Sequence, residues 1–206
     1  MKKGIIFDMD GTLWDSTDVV AKSWTDAVKE WGLPDKIITP DDMRGVMGLT
    51  MDRIAMALFS EIKDEEQIKL LDYCCKIENE YIIKFGGVLY PDLEETWTKL
   101  KENGYHLYIV SNCQKGYIEA FLEHYGFGHY FEDIECFGNN GLKKGDNIRN
   151  VVTRNNLDYA IYVGDIQGDY DATMEAGAEF IHAAYGFGTI NAEVRKINKF
   201  SDLQTI

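Results

Sequence analysis

Five short apolar runs, rich in β-branched and aromatic residues, recur between stretches of helical periodicity: Gly4 to Phe7, His106 to Val110, Phe131 to Cys136, Ala160 to Val163 and Glu179 to Ala184. Apolarity that is continuous rather than alternating suits strands covered on both faces, and parallel strands need helical crossovers between them. The expected fold is therefore α/β, a doubly wound, Rossmann-like parallel sheet. With 206 residues, 45% of them hydrophobic, the chain can bury the core of one ordinary domain together with a sizeable insert.

An insert is required by the spacing. About ninety residues separate the first run from the one at His106, far more than a single crossover uses. Within that gap Val20, Trp24, Ala27, Val28 and Trp31 form one apolar helical face, and Ile68, Leu71, Cys75 and Ile82 suggest another. Pro34 and Pro40 punctuate the segment, Thr50 is placed to cap a helix through Ile54 and Leu58, and Gly86, Gly87 and Pro91 mark the return. Residues 15–85 are thus expected to be a helical cap, inserted into a core made of residues 1–14 and 86–206.

Charge narrows the partners. Against 21 Lys and Arg stand 35 Asp and Glu, a formal net charge of -14, so the chain lacks the electropositive surface that nucleic-acid backbones and anionic membranes demand. The apolar stretch before Asp8 is only Ile5, Ile6 and Phe7, too short for a signal-peptide core, and a cytoplasmic location is expected. Cys74 and Cys75 are adjacent while Cys113 and Cys136 lie far off, a spacing that fits neither a metal knuckle nor a disulfide framework and is read as four reduced thiols. Oligomeric state is not legible.

The chemistry-bearing residues cluster at strand ends. Asp8 and Asp10 close the first run in Asp8-Met9-Asp10-Gly11, where strand alternation would turn both carboxylates to one side, although an isolated motif of this kind is equally an acidic turn. Asp165 and Asp169 follow Ala160 to Gly164 in the same way, with helix capping as the alternative for Asp169. Carboxylates from neighbouring strand ends can hold Mg²⁺, which prefers hard oxygen ligands. Four carboxylates also need a fixed cation, and the residues alone leave Lys143 and Lys144 both open. Ser111 and Asn112 offer a hydroxyl and backbone N–H groups where a phosphate can rest, or else a plain helix cap.

FDMDGTLWDS, IVSNC, GLKKGDNI and YVGDIQGDYDA, in that order from residue 7 to 172, resemble the four motifs of the haloacid dehalogenase superfamily of aspartate-nucleophile hydrolases. The length of the helical insert resembles the C1 cap of its phosphoglycolate phosphatase and β-phosphoglucomutase branch. The resemblance implies a Mg²⁺-dependent phosphatase acting on a small phosphorylated metabolite: phosphoglycolate-like, a sugar phosphate or a nucleotide. In it Asp8 is the nucleophile and Asp10 the general acid and base. Asp8, Asp10 (through its backbone carbonyl) and Asp165 ligate the metal, with Asp169 supporting it from behind. Ser111, Asn112 and Lys144 bind phosphate, and the choice of Lys144 over Lys143 rests on this resemblance, since Gly145 stands where many relatives have proline.

An aspartate at position 10 speaks against dehalogenases and phosphonatases, which lack one there. A phosphomutase, returning the phosphoryl group to a second hydroxyl, is the alternative enzyme. A phospho-accepting receiver module, which would signal rather than turn over, suits neither the position of Asp8 nor the cap. In the cap, Arg44 is expected to contact the leaving group or, as a lone arginine, to form a surface salt bridge. Trp14 and Trp24 are candidates for the cap interface or the core.

Overall fold

A computed structural model describes residues 1–206, the side chain of Asp64 excepted. In chain order its elements are β1 (Lys3–Phe7), β2 (Trp14–Asp15), α1 (Thr17–Glu30), α2 (Pro40–Val46), α3 (Met51–Leu58), α4 (Asp64–Phe85), β3 (Val88–Leu89), α5 (Leu93–Glu102) and β4 (Tyr105–Ser111). The chain continues through α6 (Tyr117–Tyr125), β5 (Asp133–Cys136), α7 (Phe137–Asn140), α8 (Lys144–Arg154), β6 (Tyr159–Gly164), α9 (Gln167–Ala176), β7 (Glu179–Ala183) and β8 (Arg195–Ile197). Six strands form one parallel sheet in the order β5-β4-β1-β6-β7-β8, a doubly wound α/β architecture.

Strand order fixes where a ligand can sit. From central β1 the chain builds outward through β4 and β5 on one side, then crosses to β6, β7 and β8 on the other. Phe7 is in register with Ile109 of β4 and Val163 of β6, so the carboxyl ends of three strands open at the switch point of the winding. Alternation along β1 sends Ile5 and Phe7 to one layer of the core, and Ile6 to the other with Tyr108 and Tyr162. Edge strand β8 carries Arg195 and Lys196 beside one buried residue, Ile197, which is why no apolar run announced it.

Helices α1 to α4 lie between two short strands, β2 and β3, which pair antiparallel through Trp14 with Leu89 and Asp15 with Val88. Tyr125 pins the second connection, its hydroxyl accepting from Gly87 N at 2.9 Å and donating to Gly87 O at 2.7 Å. Inside the insert, α1 buries Val20, Trp24, Ala27 and Val28, and Trp24 stacks on Phe59 at 5.7 Å between ring centroids; burial of side chains this large stabilises by roughly 2–3 kcal/mol each. Trp31, expected on that face, is the residue after the helix and is 40% exposed.

The apolar face of α4 differs from expectation. Ile68 is 60% exposed, and the buried stripe is Leu70, Leu71, Cys74, Glu78 and Ile82. Cys74, Glu78 and Ile82 follow a strict four-residue spacing, and a glutamate in the middle hides that stripe from any reading by hydropathy. Thr50 precedes α3 without a capping bond from its side chain, whereas Thr39 and Asp42 form a reciprocal capping box around Pro40 in α2. All four cysteines are free thiols. Among the described residues, no helix is long and apolar enough to cross a membrane.

Candidate active site

The first strand ends at Phe7, so Asp8 and Asp10 belong to the turn beyond it and strand alternation does not govern them. Asp8 N still bonds Val163 O at 2.9 Å, and the chain then folds back with Thr12 N and Leu13 N both donating to Met9 O. The two carboxylates go to different partners. Asp8 faces Lys144, whose Nζ lies 3.0 Å from Asp8 Oδ1 and 2.6 Å from Asp169 Oδ1. Asp10 Oδ1 instead accepts from Ser16 Oγ at 2.5 Å and Tyr117 OH at 2.6 Å.

Lys144 is 4% exposed at the start of α8, while Lys143 points to solvent, so packing distinguishes two adjacent lysines. Burial opposes the charge on Lys144, but the carboxylates of Asp169 and Asp8 outweigh it and hold the amine protonated. Asp169 serves two partners at once: Oδ1 meets Lys144, and Oδ2 accepts Asp165 N at 3.0 Å and Ile166 N at 3.1 Å at the head of α9. Helix capping and site architecture, alternatives in the sequence, coincide here.

Asp8, Asp165 and Asp169 place carboxylate oxygens within 4.8 Å of one another. Three buried carboxylates beside one lysine are under-neutralised. Burial, followed by the charge of Asp169, pushes Asp8 up to about 7, and burial with the charges of Asp169 and Asp8 pushes Asp165 up to about 8. Asp165 Oδ2 accepts Phe187 N at 2.7 Å, whereas its Oδ1 is buried with no partner. Gly11, at φ 80°, closes over that side chain so tightly that a Cβ would stand 2.1 Å from Asp165 Oδ2. An all-oxygen donor set, an orphaned carboxylate oxygen and unbalanced negative charge together fit a hard divalent cation.

Ser111, 5% exposed at the end of β4, lines a partly open cleft together with Asp10, Asn112 and Tyr117. The side-chain amide of Asn112 donates to Gly48 O in the insert at 2.8 Å, so this residue ties the insert to the core as well as lining the cavity. Trp24 lines the same space, while Trp14 packs in the core against Phe121 at 4.8 Å. Arg44 lies outside the cavity lining. Its guanidinium sits 2.8 Å from Asp41 Oδ1 and 3.3 Å from Thr17 Oγ1, on the surface beside the first connection.

Four further residues enter the site without a local signal in the sequence: Ser16, Tyr117, Glu78 and Gln114. Tyr117 reaches Asp10 across 107 positions. Glu78, in α4, is 4% exposed on the cavity wall, where it accepts from Trp24 Nε1 and is contacted by Gln114. The one clue was its four-residue spacing from Cys74 and Ile82, and glutamate reads as the wrong residue type for a buried stripe.

The model of the haloacid dehalogenase-like hydrolase family matches residues 5–183. The chain belongs to this family. Relatives include proteins named phosphoglycolate phosphatase from Aliivibrio fischeri, 26% identical over 198 residues covering 90% of this chain and 85% of that one, and from Aquifex aeolicus, 27% identical over 196 residues covering 92% and 88%. The fold is shared with a haloacid dehalogenase-like family hydrolase from Streptococcus pneumoniae, at a TM-score of 0.80 and 21% identity over 100% of this chain and 97% of that one. As a haloacid dehalogenase-like hydrolase, the chain carries its strand-end aspartates where the winding of the sheet opens.

Proposed function

We propose that this protein is a phosphatase that hydrolyses small phosphate monoesters through an aspartyl phosphate on Asp8. The observation that carries the reading is the division of labour between the two aspartates: Asp8 lies among Lys144, Asp165 and Asp169, while Asp10 is held apart by Ser16 and Tyr117. One carboxylate sits with the cation that draws a phosphoryl group. The other is free to exchange a proton with a leaving group.

An Asp8 oxygen attacks phosphorus as the bond to the alcohol oxygen breaks, and Asp10 gives its proton to the departing alkoxide. Water then attacks the aspartyl phosphate while Asp10 takes the proton back, releasing inorganic phosphate and restoring Asp8. Burial raises the pKa of Asp10, against the bonds from Ser16 and Tyr117, and so favours its acid form. Lys144 orients Asp8 and offsets charge on the transferring group, which for a loose phosphoryl transition state contributes more than covalent assistance does. Mg²⁺, held by Asp8, Asp165 and the backbone carbonyl of Asp10 with Asp169 behind them, would supply charge neutralisation at the phosphoryl oxygens when bound. Ser111 and the backbone following it hold the phosphate.

The helical insert, taken as residues 15–85, covers the cavity and limits substrates to small molecules, opening about β2 and β3 to admit them. The test is phosphate release from a panel of small phosphate esters with and without Mg²⁺, using Asp8→Asn as control. Release that needs Mg²⁺ and disappears in the variant is the expected result. A variant that keeps its rate, or a wild type inactive on every ester, defeats the reading.

A further inference from the structure

Beyond the aspartates, the space left for the leaving group has an unusual wall. Trp24, Met43, Met47, Leu49, Met51 and Ile54 make it predominantly apolar. Among the described residues, no lysine, arginine or histidine lines it, and Arg44, the nearest candidate in sequence, is engaged on the outer surface by Asp41 and Thr17. Glu78 presents a carboxyl group on the wall, and Asn112 Oδ1 is buried with no partner.

We infer that the alcohol released by this enzyme carries an ammonium group, so that the substrate is a compact zwitterionic phosphate monoester whose cation sits between Glu78 and the rings of Trp24 and Tyr117. The inference rests on the phosphatase reading and names the substrate class of that same site. A carboxylate on the leaving group, as in phosphoglycolate, would enter this pocket with no cation to meet it. A sugar would bring several hydroxyls to a wall with few polar partners. An ammonium group suits this wall: it donates to Glu78, lies against aromatic faces that attract cations, and leaves its carbon chain on the methionines.

Two further observations agree. Burial pushes Glu78 up to about 8, and a neighbouring cation favours the carboxylate form, so binding supplies the counter-charge that the empty wall lacks. Residues 15–85 hold 15 acidic and 9 basic side chains, so the insert presents an acidic approach that disfavours a leaving group with a second negative charge.

The test compares wild-type kcat/KM on two-carbon esters that differ only at the far end: phosphoethanolamine, 2-hydroxyethyl phosphate and phosphoglycolate, with phosphocholine as a bulkier cation. The expected order is ammonium, then neutral, then carboxylate, with roughly tenfold or more between the ends of the series. Glu78→Gln should lower the ratio of ammonium to neutral ester about tenfold, mainly through KM. The wild-type series needs no variant, and inhibition of p-nitrophenyl phosphate hydrolysis by free ethanolamine reads the same pocket if Glu78→Gln does not fold. Preference for the neutral or carboxylate ester, or a ratio unmoved by Glu78→Gln, overturns the substrate class and leaves the phosphatase reading standing. Activity on none of the esters overturns both.

Discussion

Both halves of the cleft bury ionisable groups yet handle charge in opposite ways. On the core side, Asp8, Asp165 and Asp169 crowd around Lys144, and Asp165 Oδ1 is left buried without a partner. On the insert side a tryptophan, three methionines and two aliphatic residues surround one carboxyl group with no cation beside it. Strand ends impose the first arrangement, because the switch point of a parallel sheet gathers loop residues from three strands. Helix faces permit the second, because a face built for packing exposes mostly apolar side chains and leaves room for a single polar exception. On the proposed reading, chemistry is concentrated at the strand ends and choice of substrate on the helical faces opposite them.

Substitutions on the core side should have the largest effects. Asp8→Asn should reduce phosphate release by roughly 10⁴-fold or more, since the proposed covalent intermediate forms on Asp8. Asp10→Asn should cost roughly 10²–10⁴-fold in kcat, with a smaller loss for esters whose alcohols leave without a proton. Equal losses across leaving groups would break the separation of roles between the two aspartates.

Lys144→Met should destabilise the fold by about 3 kcal/mol, because it leaves buried carboxylates without their cation. Urea unfolding measures this, and Mg²⁺ should restore part of the loss. Arg44→Ala gives the opposite case: its guanidinium is 43% exposed, and removing it should change stability by less than about 1 kcal/mol. If the two variants lose comparable stability, the contrast between buried and surface cations does not hold.

Glu78 yields a pH signature on the insert side. Its pKa of about 8 in the folded protein lies above the ordinary glutamic acid value of 4.5, so the folded state keeps a proton that the unfolded chain has released. The stability this group contributes is therefore fully present below about pH 4.5 and is lost as pH rises to 8. Glu78→Gln should remove that slope. The stability difference between wild type and variant should fall between pH 5 and pH 8 and level off above it, and parallel curves would show that Glu78 is not the buried acid described here.

Much of the architecture was legible along the chain because it depends on local patterning. Apolar runs marked five of the six sheet strands, and the long gap before His106 holds helices α1 to α4, whereas β8 escaped because a short, half-charged edge strand has no hydropathic signature. The acidic positions were equally plain, since Asp8, Asp10, Asp165 and Asp169 follow strand-like runs directly. What surrounds them was not. Tyr117 and Ser16 on Asp10, and Glu78 and Asn112 in one cavity lining, are brought together from distant segments.

The sequence by itself determined the fold class, the strand ends that bear carboxylates and the net charge of -14, because each follows from residue type and short-range spacing. Only the tertiary structure decided that Lys144 rather than Lys143 faces the aspartates, that Arg44 stays on the surface, and that a glutamate completes the buried stripe of α4. The reason is one of range. Secondary structure is written in neighbours a few residues apart, while a buried charge is defined by whatever distant group packing sets against it, and no local pattern encodes that partner.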